Sequence, residues 1–283
     1  MHIIKTGDKD MREFYLINAK GSRLSLNEED MFLSDPAGLG MAYESEYKNL
    51  ENAFYKTTRK IAQKEISGTM NFTEYAGYKK FIDFIQEQPL TLEYKADGDT
   101  YYIDGYIDSI SKGEIDVFLE CPLSFKTTTN FYKRQTYVLS REHVDNSKQY
   151  NYSYPYTYND TSGGAMQYIN DTALKHPAKI IIEGYAKKPH WQLMQNKEVL
   201  LDGRVNVTIE EGHKLVIESD PAKMEIAEYT KDNEYIANRY AVSDFTTKRF
   251  LSFPPGTTEL SFSHEAENEL KIYLEVREEH ESV

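Results

Sequence analysis

Apolar and polar positions alternate along most of this chain, and in one place the period lengthens. Phe14-Tyr15-Leu16-Ile17-Asn18 predicts an opening strand that stops at the turn signal Lys20-Gly21, after which Leu24 and Leu26 alternate into a second short strand. Asp35-Pro36-Ala37-Gly38-Leu39-Gly40 puts one proline and two glycines into six residues, so the backbone is expected to turn there or approach a neighbour closely. Further strand-like runs lie at Asn49 to Tyr55 and Ile61 to Met70. Tyr75, Tyr78, Ile82 and Ile85 then recur at three- and four-residue spacing, with Lys79, Lys80, Asp83 and Gln86 on the other face, which predicts an amphipathic helix. Thr73 is the expected N-cap, Glu74 suits the first turn, and Pro89 stands beyond the end.

Strand patterning resumes at once. Leu90 to Tyr94 and Tyr101 to Tyr106 flank Asp97-Gly98, a hairpin signal, and Lys112-Gly113 precedes a strand over Ile115 to Cys121. Alternation weakens between Pro122 and Ala178, where the tyrosine-rich tract 150–158 leads into Ser162-Gly163-Gly164. It returns in Ile180 to Ile182, Trp191 to Met194, Val199 with Leu201, and Val205, Val207 and Ile209. Asp202-Gly203 and Glu211-Gly212 are expected to turn with positive φ, and Asp220-Pro221 to break the chain after Leu215 to Glu218. Leu270, Ile272, Leu274 and Val276 close the pattern. The reading is mainly β, with one domain over 1–130, a crossover over 131–149 and an antiparallel sandwich over 150–283.

Two domains suit 283 residues at about 150 residues per domain, and each is large enough to bury a core. With 46 acidic and 33 basic residues the net charge is −13, which argues against stable nucleic-acid binding. Tyrosine is abundant, at 23 residues, and favours strands and half-wet interfaces. Cys121 is the single cysteine and no apolar stretch suits a membrane span, so a reducing compartment and no membrane insertion are expected.

Signals for chemistry are weak. His2, His143, His176, His190, His213, His264 and His280 are scattered without metal-binding companions, and no nucleophile elbow, phosphate loop or dinucleotide fingerprint occurs. Asp97-Gly98-Asp99 has Tyr101 where a calcium loop needs a further oxygen ligand. No catalytic residue, cofactor or metal is therefore expected. Trp191, the only tryptophan, is a candidate for stacking on a sugar, with core packing as the stronger alternative, and the 150–158 tract suits an intra-assembly contact.

Taken in order, several segments resemble the distal tail proteins of long, flexible-tailed bacteriophages. They are the opening strand, the stretch Phe32 to Gly40, the helix Thr73 to Glu87 with the following hairpin through Tyr101 to Ile107, Leu119 to Phe125, and Phe250 to Phe262. The resemblance implies an N-terminal β-sandwich belt domain with one amphipathic α-helix and a C-terminal galectin-like antiparallel β-sandwich. It also implies a non-enzymatic homohexameric ring at the distal end of a virion tail, assembled in the host cytoplasm. Its implied partners are the tail tube protein, a tail-tip or tail-associated lysin protein and a receptor-binding protein. Phe32, Leu33, Pro36 and Leu39 are candidates for subunit contacts, and Glu28, Glu29 and Asp30 for the wall of the lumen, a solvated outer loop being the stronger alternative for these acids. The first rival reading is a carbohydrate-binding module for host cell-wall sugars, and the second is an enzyme such as a cell-wall hydrolase, against which the absence of a strong catalytic motif counts.

Overall fold

Hydropathic alternation becomes alternation in burial in the first strand, β1 (Glu13–Ile17), where Phe14 and Leu16 are buried and Glu13, Tyr15 and Ile17 are half-buried. The structure is a computed structural model that describes residues 12–115, 118–139, 164–266, 268 and 270–283. The chain forms two compact units, Met1–Lys133 with Glu279–Val283, and Arg134–Glu278. The tract 150–158 and residues 140–149 of the expected crossover lie outside the described residues.

In the first unit, β1 is followed by β2 (Arg23–Ser25), β3 (Asn27–Glu28), β4 (Met31–Ala37), β5 (Tyr43–Leu50), β6 (Ala53–Ile61), β7 (Glu65–Phe72), α1 (Tyr75–Ile85), β8 (Leu90–Ala96), β9 (Asp99–Ile110), β10 (Gly113–Ile115), β11 (Phe118–Thr127) and β12 (Phe131–Leu139), whose first residues belong to this unit. One sheet runs β2-β1-β8-β9 and a second β9-β11-β7-β4-β3, all antiparallel. Strand β9 joins them because its first half pairs with β8 and its second half with β11, the change falling at Gly105. A Cβ at Gly105 would lie 2.3 Å from the Lys126 carbonyl oxygen, so the strand can change sheets there only without a side chain. Phe14, Leu16, Met70, Phe72, Ile103 and Phe125 from both sheets form one core with Phe81 and Ile85 of the helix.

Several local expectations are corrected. The N-cap of α1 is Glu74, extended and without a side-chain cap bond, while the Thr73 amide instead donates to the Asp30 carbonyl at 3.1 Å. The buried stripe is centred on Phe81 and Ile85, and Tyr75 is exposed, because the helix must follow the ring of Phe72 on β7, 5.6 Å from Phe81. Asn49 to Tyr55 is not one strand but the tip of the β5–β6 hairpin. The close approach expected within residues 35–40 is found at Gly38, φ 89°, where a Cβ would meet the Glu65 carbonyl oxygen at 2.1 Å, while β4 continues through Asp35 and Pro36 with a bulge. Residues 131–139, expected in a crossover, form β12.

The second unit contains β13 (Ala165–Asn170), β14 (His176–Glu183), β15 (Ala186–Lys187), β16 (His190–Gln195), β17 (Glu198–Arg204), β18 (Thr208–Ile209), β19 (His213–Glu218), β20 (Glu225–Thr230), β21 (Tyr235–Asn238), β22 (Ser252–Phe253), β23 (Gly256–Ser263) and β24 (Lys271–His280), whose last residues belong to the first unit. Sheets β21-β20-β19-β14-β24 and β13-β23-β16-β17 enclose a single core that includes Ile180, Ile217 and Leu274 from the first and Trp191, Leu260 and Phe262 from the second. This is an antiparallel β-sandwich. The turn expected at Asp202-Gly203 lies elsewhere. Gly203 is inside β17 opposite Trp191, and the hairpin turns at Asn196 and Lys197, with φ 52° and 68°. A Cβ at Gly203 would stand 2.3 Å from the indole, so this glycine makes room for the ring rather than for a turn.

Candidate functional site

Strands β5 and β6 form a two-stranded ribbon that pairs only with itself among the described residues. Its sequence accounts for the ribbon: Glu44 faces Lys60 across the strands, Tyr47 faces Lys56 and Lys48 faces Tyr55, while residues 51 and 52 make the turn. Two strands without a covered face are marginal in water. Here Tyr47, Leu50, Phe54 and Tyr55 are all exposed, Phe54 at 76% and Tyr55 at 62%. The base is fixed by contrast. Arg59 lies over the Tyr43 ring, 3.5 Å from its centroid, and the Tyr43 hydroxyl donates to the Glu281 carboxylate, which raises the phenol's pKa. Lys64, buried beside the base, donates to the Glu281 carbonyl and lies 4.7 Å from the Phe131 ring, and burial lowers its pKa.

The residues nominated from sequence do not form one surface. Phe32 is 38% exposed and Pro36 is exposed, but Leu33 and Leu39 pack against the first unit's core, with Leu33 over Gly68. Glu28 ends β3, and Glu29 and Asp30 form the turn to β4; all three are exposed. Trp191 is 0% exposed and its indole donates to the Arg249 carbonyl at 2.8 Å. That position corrects the sugar-stacking candidacy, since no sugar can reach the ring without opening the sandwich. The hairpin aromatics were missed because the strand-like run hid the turn; the adjacent Phe54-Tyr55, apolar on both faces of a strand, was the available signal.

One polar array escaped motif reading because its members are far apart in sequence. His190 Nε2 lies 2.6 Å from Asp202 Oδ1 and His190 Nδ1 lies 3.1 Å from Ser263 Oγ. All three sit on paired strands of one sheet, whose amides point along the ladder rather than converging on a reacting oxygen, so the array orders a sheet face. Among the described residues no group of three His, Cys, Asp or Glu side chains could hold a metal. Cys121 is buried, and burial pushes its thiol pKa up.

The described residues thus form a first unit of antiparallel sheets with one helix and a two-stranded ribbon, followed by a β-sandwich. Residues 13–128 match the family described as distal tail protein, N-terminal domain. Residues 13–128 therefore form a distal tail protein N-terminal domain, and the protein is a component of the distal end of a phage tail. A search of curated proteins by sequence finds no match. Among solved structures the fold is similar to a chain of the phage P2 baseplate in its activated conformation with calcium, at 15% identity and a TM-score of 0.66, covering 96% of this chain and 100% of that one. It is also similar to the SPP1 Dit protein (gp 19.1), described as a paradigm of hub adsorption apparatus in Gram-positive infecting phages, at 10% identity and a TM-score of 0.60, covering 93% and 98% of the two chains.

Proposed function

We propose that the protein is a ring-shaped adaptor joining the end of the tail tube to the baseplate or tail tip and its host-attachment proteins. The observation that carries this reading is the β5–β6 ribbon, which holds four large apolar side chains in water and has no sheet neighbour among the described residues of its own protomer. A second copy is the simplest partner, because a head-to-tail contact repeated by rotation closes into a ring and leaves no unmatched face. The reading includes a homohexamer, the tail tube protein on one side, and a tail-tip or tail-associated lysin protein and a receptor-binding protein on the other. Phe32 and Pro36, being exposed, stay candidates for subunit contacts. Glu28, Glu29 and Asp30 stay candidates for a lumen wall that a phosphate polymer would pass without adhering.

Native mass spectrometry tests the ring. The expected mass is six times that of the 32.9 kDa protomer, accompanied by rings in electron micrographs of the purified protein. A 32.9 kDa species at every concentration, with no ring in tail particles, refutes the reading.

A further inference from the structure

At one end of the second unit, where β14, β19, β20 and β24 give way to their connecting turns, a cleft of about 350 Å³ is open to solvent. Small-ligand sites begin at about this size, roughly 300 Å³. Its lining residues include Glu183, Tyr185, Glu211, His213, Lys231 and Lys271, the last with its ammonium 5.0 Å from the Tyr273 ring.

The walls are held in place. Gly184 and Gly212 have φ of 93° and 81° and add no side chains to the cavity they line. The Gly184 amide donates to the His213 carbonyl at 3.2 Å, the Tyr185 amide to Glu211 Oε2 at 3.2 Å, and the Lys231 amide to the Gly212 carbonyl at 2.9 Å. Behind the imidazole, Glu228 is 2% exposed and accepts from His213 Nδ1 at 2.6 Å while also binding Arg239. That buried carboxylate fixes the ring. Lys214 also borders the cleft, but its ammonium is taken up by Asn233 Oδ1 at 2.6 Å.

The remaining charges select the ligand. A phosphate or carboxylate would sit beside Glu183 and Glu211, and a metal ion would sit beside Lys231 and Lys271. Each meets repulsion from one pair that offsets the attraction of the other. A neutral compound rich in hydroxyls meets none, because each hydroxyl can donate to a carboxylate and accept from an ammonium, while the C–H face of a sugar ring can lie on Tyr185. We propose that this cleft binds a neutral saccharide of one or two residues. The proposal does not rest on ring formation.

Saturation-transfer NMR on the full chain tests it, with the methyl glycosides of glucose, galactose, rhamnose and N-acetylglucosamine as probes. Transfer to at least one of them is expected, with a Kd of about 1 mM or weaker for so small a contact. Glu211→Gln and Lys231→Ala, both at exposed positions, are each expected to weaken that binding by about tenfold, the loss of one hydrogen bond to a charged group, without shifting the melting temperature. No transfer to any of the four sugars overturns the proposal, as does transfer unchanged in both variants. Binding of inorganic phosphate or glycine that the two variants abolish, in the absence of sugar binding, also overturns it and marks the cleft as an ion or zwitterion site.

Discussion

Replacing Phe54 and Tyr55 by threonine should dissolve the proposed ring and leave the protomer intact. Both side chains stand in water within one protomer, at 76% and 62% exposure, and threonine keeps a β-branched residue in the ribbon. The protomer should therefore lose no more than about 0.5 kcal/mol, the ordinary scale of a surface substitution. If a neighbouring copy covers these rings, the account differs. Fully burying a large apolar side chain is worth about 1.5–3 kcal/mol, so the exposed fractions of the two together represent about 2–4 kcal/mol at each subunit contact. At tenfold per 1.4 kcal/mol, that weakens each contact by roughly 30- to 700-fold. Sedimentation equilibrium over a concentration series reads the shift, and circular dichroism melting reads the protomer. An unchanged assembly midpoint would refute the assignment of the ribbon to the subunit contact. A melting temperature lowered by several degrees would instead mean that the rings are packed within the protomer.

The second unit offers a packing test: Gly203→Val pushes a side chain into the space of the Trp191 indole and should cost at least about 1–3 kcal/mol, seen as an earlier urea transition and changed tryptophan fluorescence. Cys121 should resist a thiol reagent in the native protein and react fully once unfolded, because it is buried and its thiol is held in the protonated form. Tyr168 is buried, its hydroxyl 2.8 Å from His176 Nδ1 and within reach of Glu278, and burial followed by the Glu278 charge raises its pKa above the usual 10.0. The folded protein therefore keeps a proton that the unfolded chain releases above pH 10.0, so this stability is complete below that pH and is lost as pH rises through and beyond it. Urea midpoints at about pH 9 and 11 should show the fall, and Tyr168→Phe should flatten it while costing about 1–3 kcal/mol near neutrality through loss of the hydroxyl's hydrogen bonds to His176 and Glu278.

The sequence by itself determined the elements whose signal is local. Alternation located β1, β14 and β24 because strand side chains change face at every residue, and the same rule buried Ile272, Leu274 and Val276 together. Asp97-Gly98 specified its hairpin through backbone preference alone, with φ of 51° and 83° in the structure. The order of such segments was enough to point to the distal tail family. Tertiary structure decided what depends on residues far apart in the chain. Gly203 looked like a turn residue because its role is set by Trp191 on the facing strand, and a glycine that relieves a clash cannot be told from one that bends the chain until the neighbour is placed. The helix face shifted to Phe81 because Phe72 lies beneath it. Leu33 and Leu39 turned inward, and Phe54 and Tyr55 outward, since hydropathy measures the cost of exposure and not which side chains the fold leaves uncovered. The cleft at the end of the second unit belongs to the same class: Glu183, Glu211, Lys231 and Lys271 are spread over almost 90 residues, and only the antiparallel pairing of β14 with β19 and β24 brings their turns to one end.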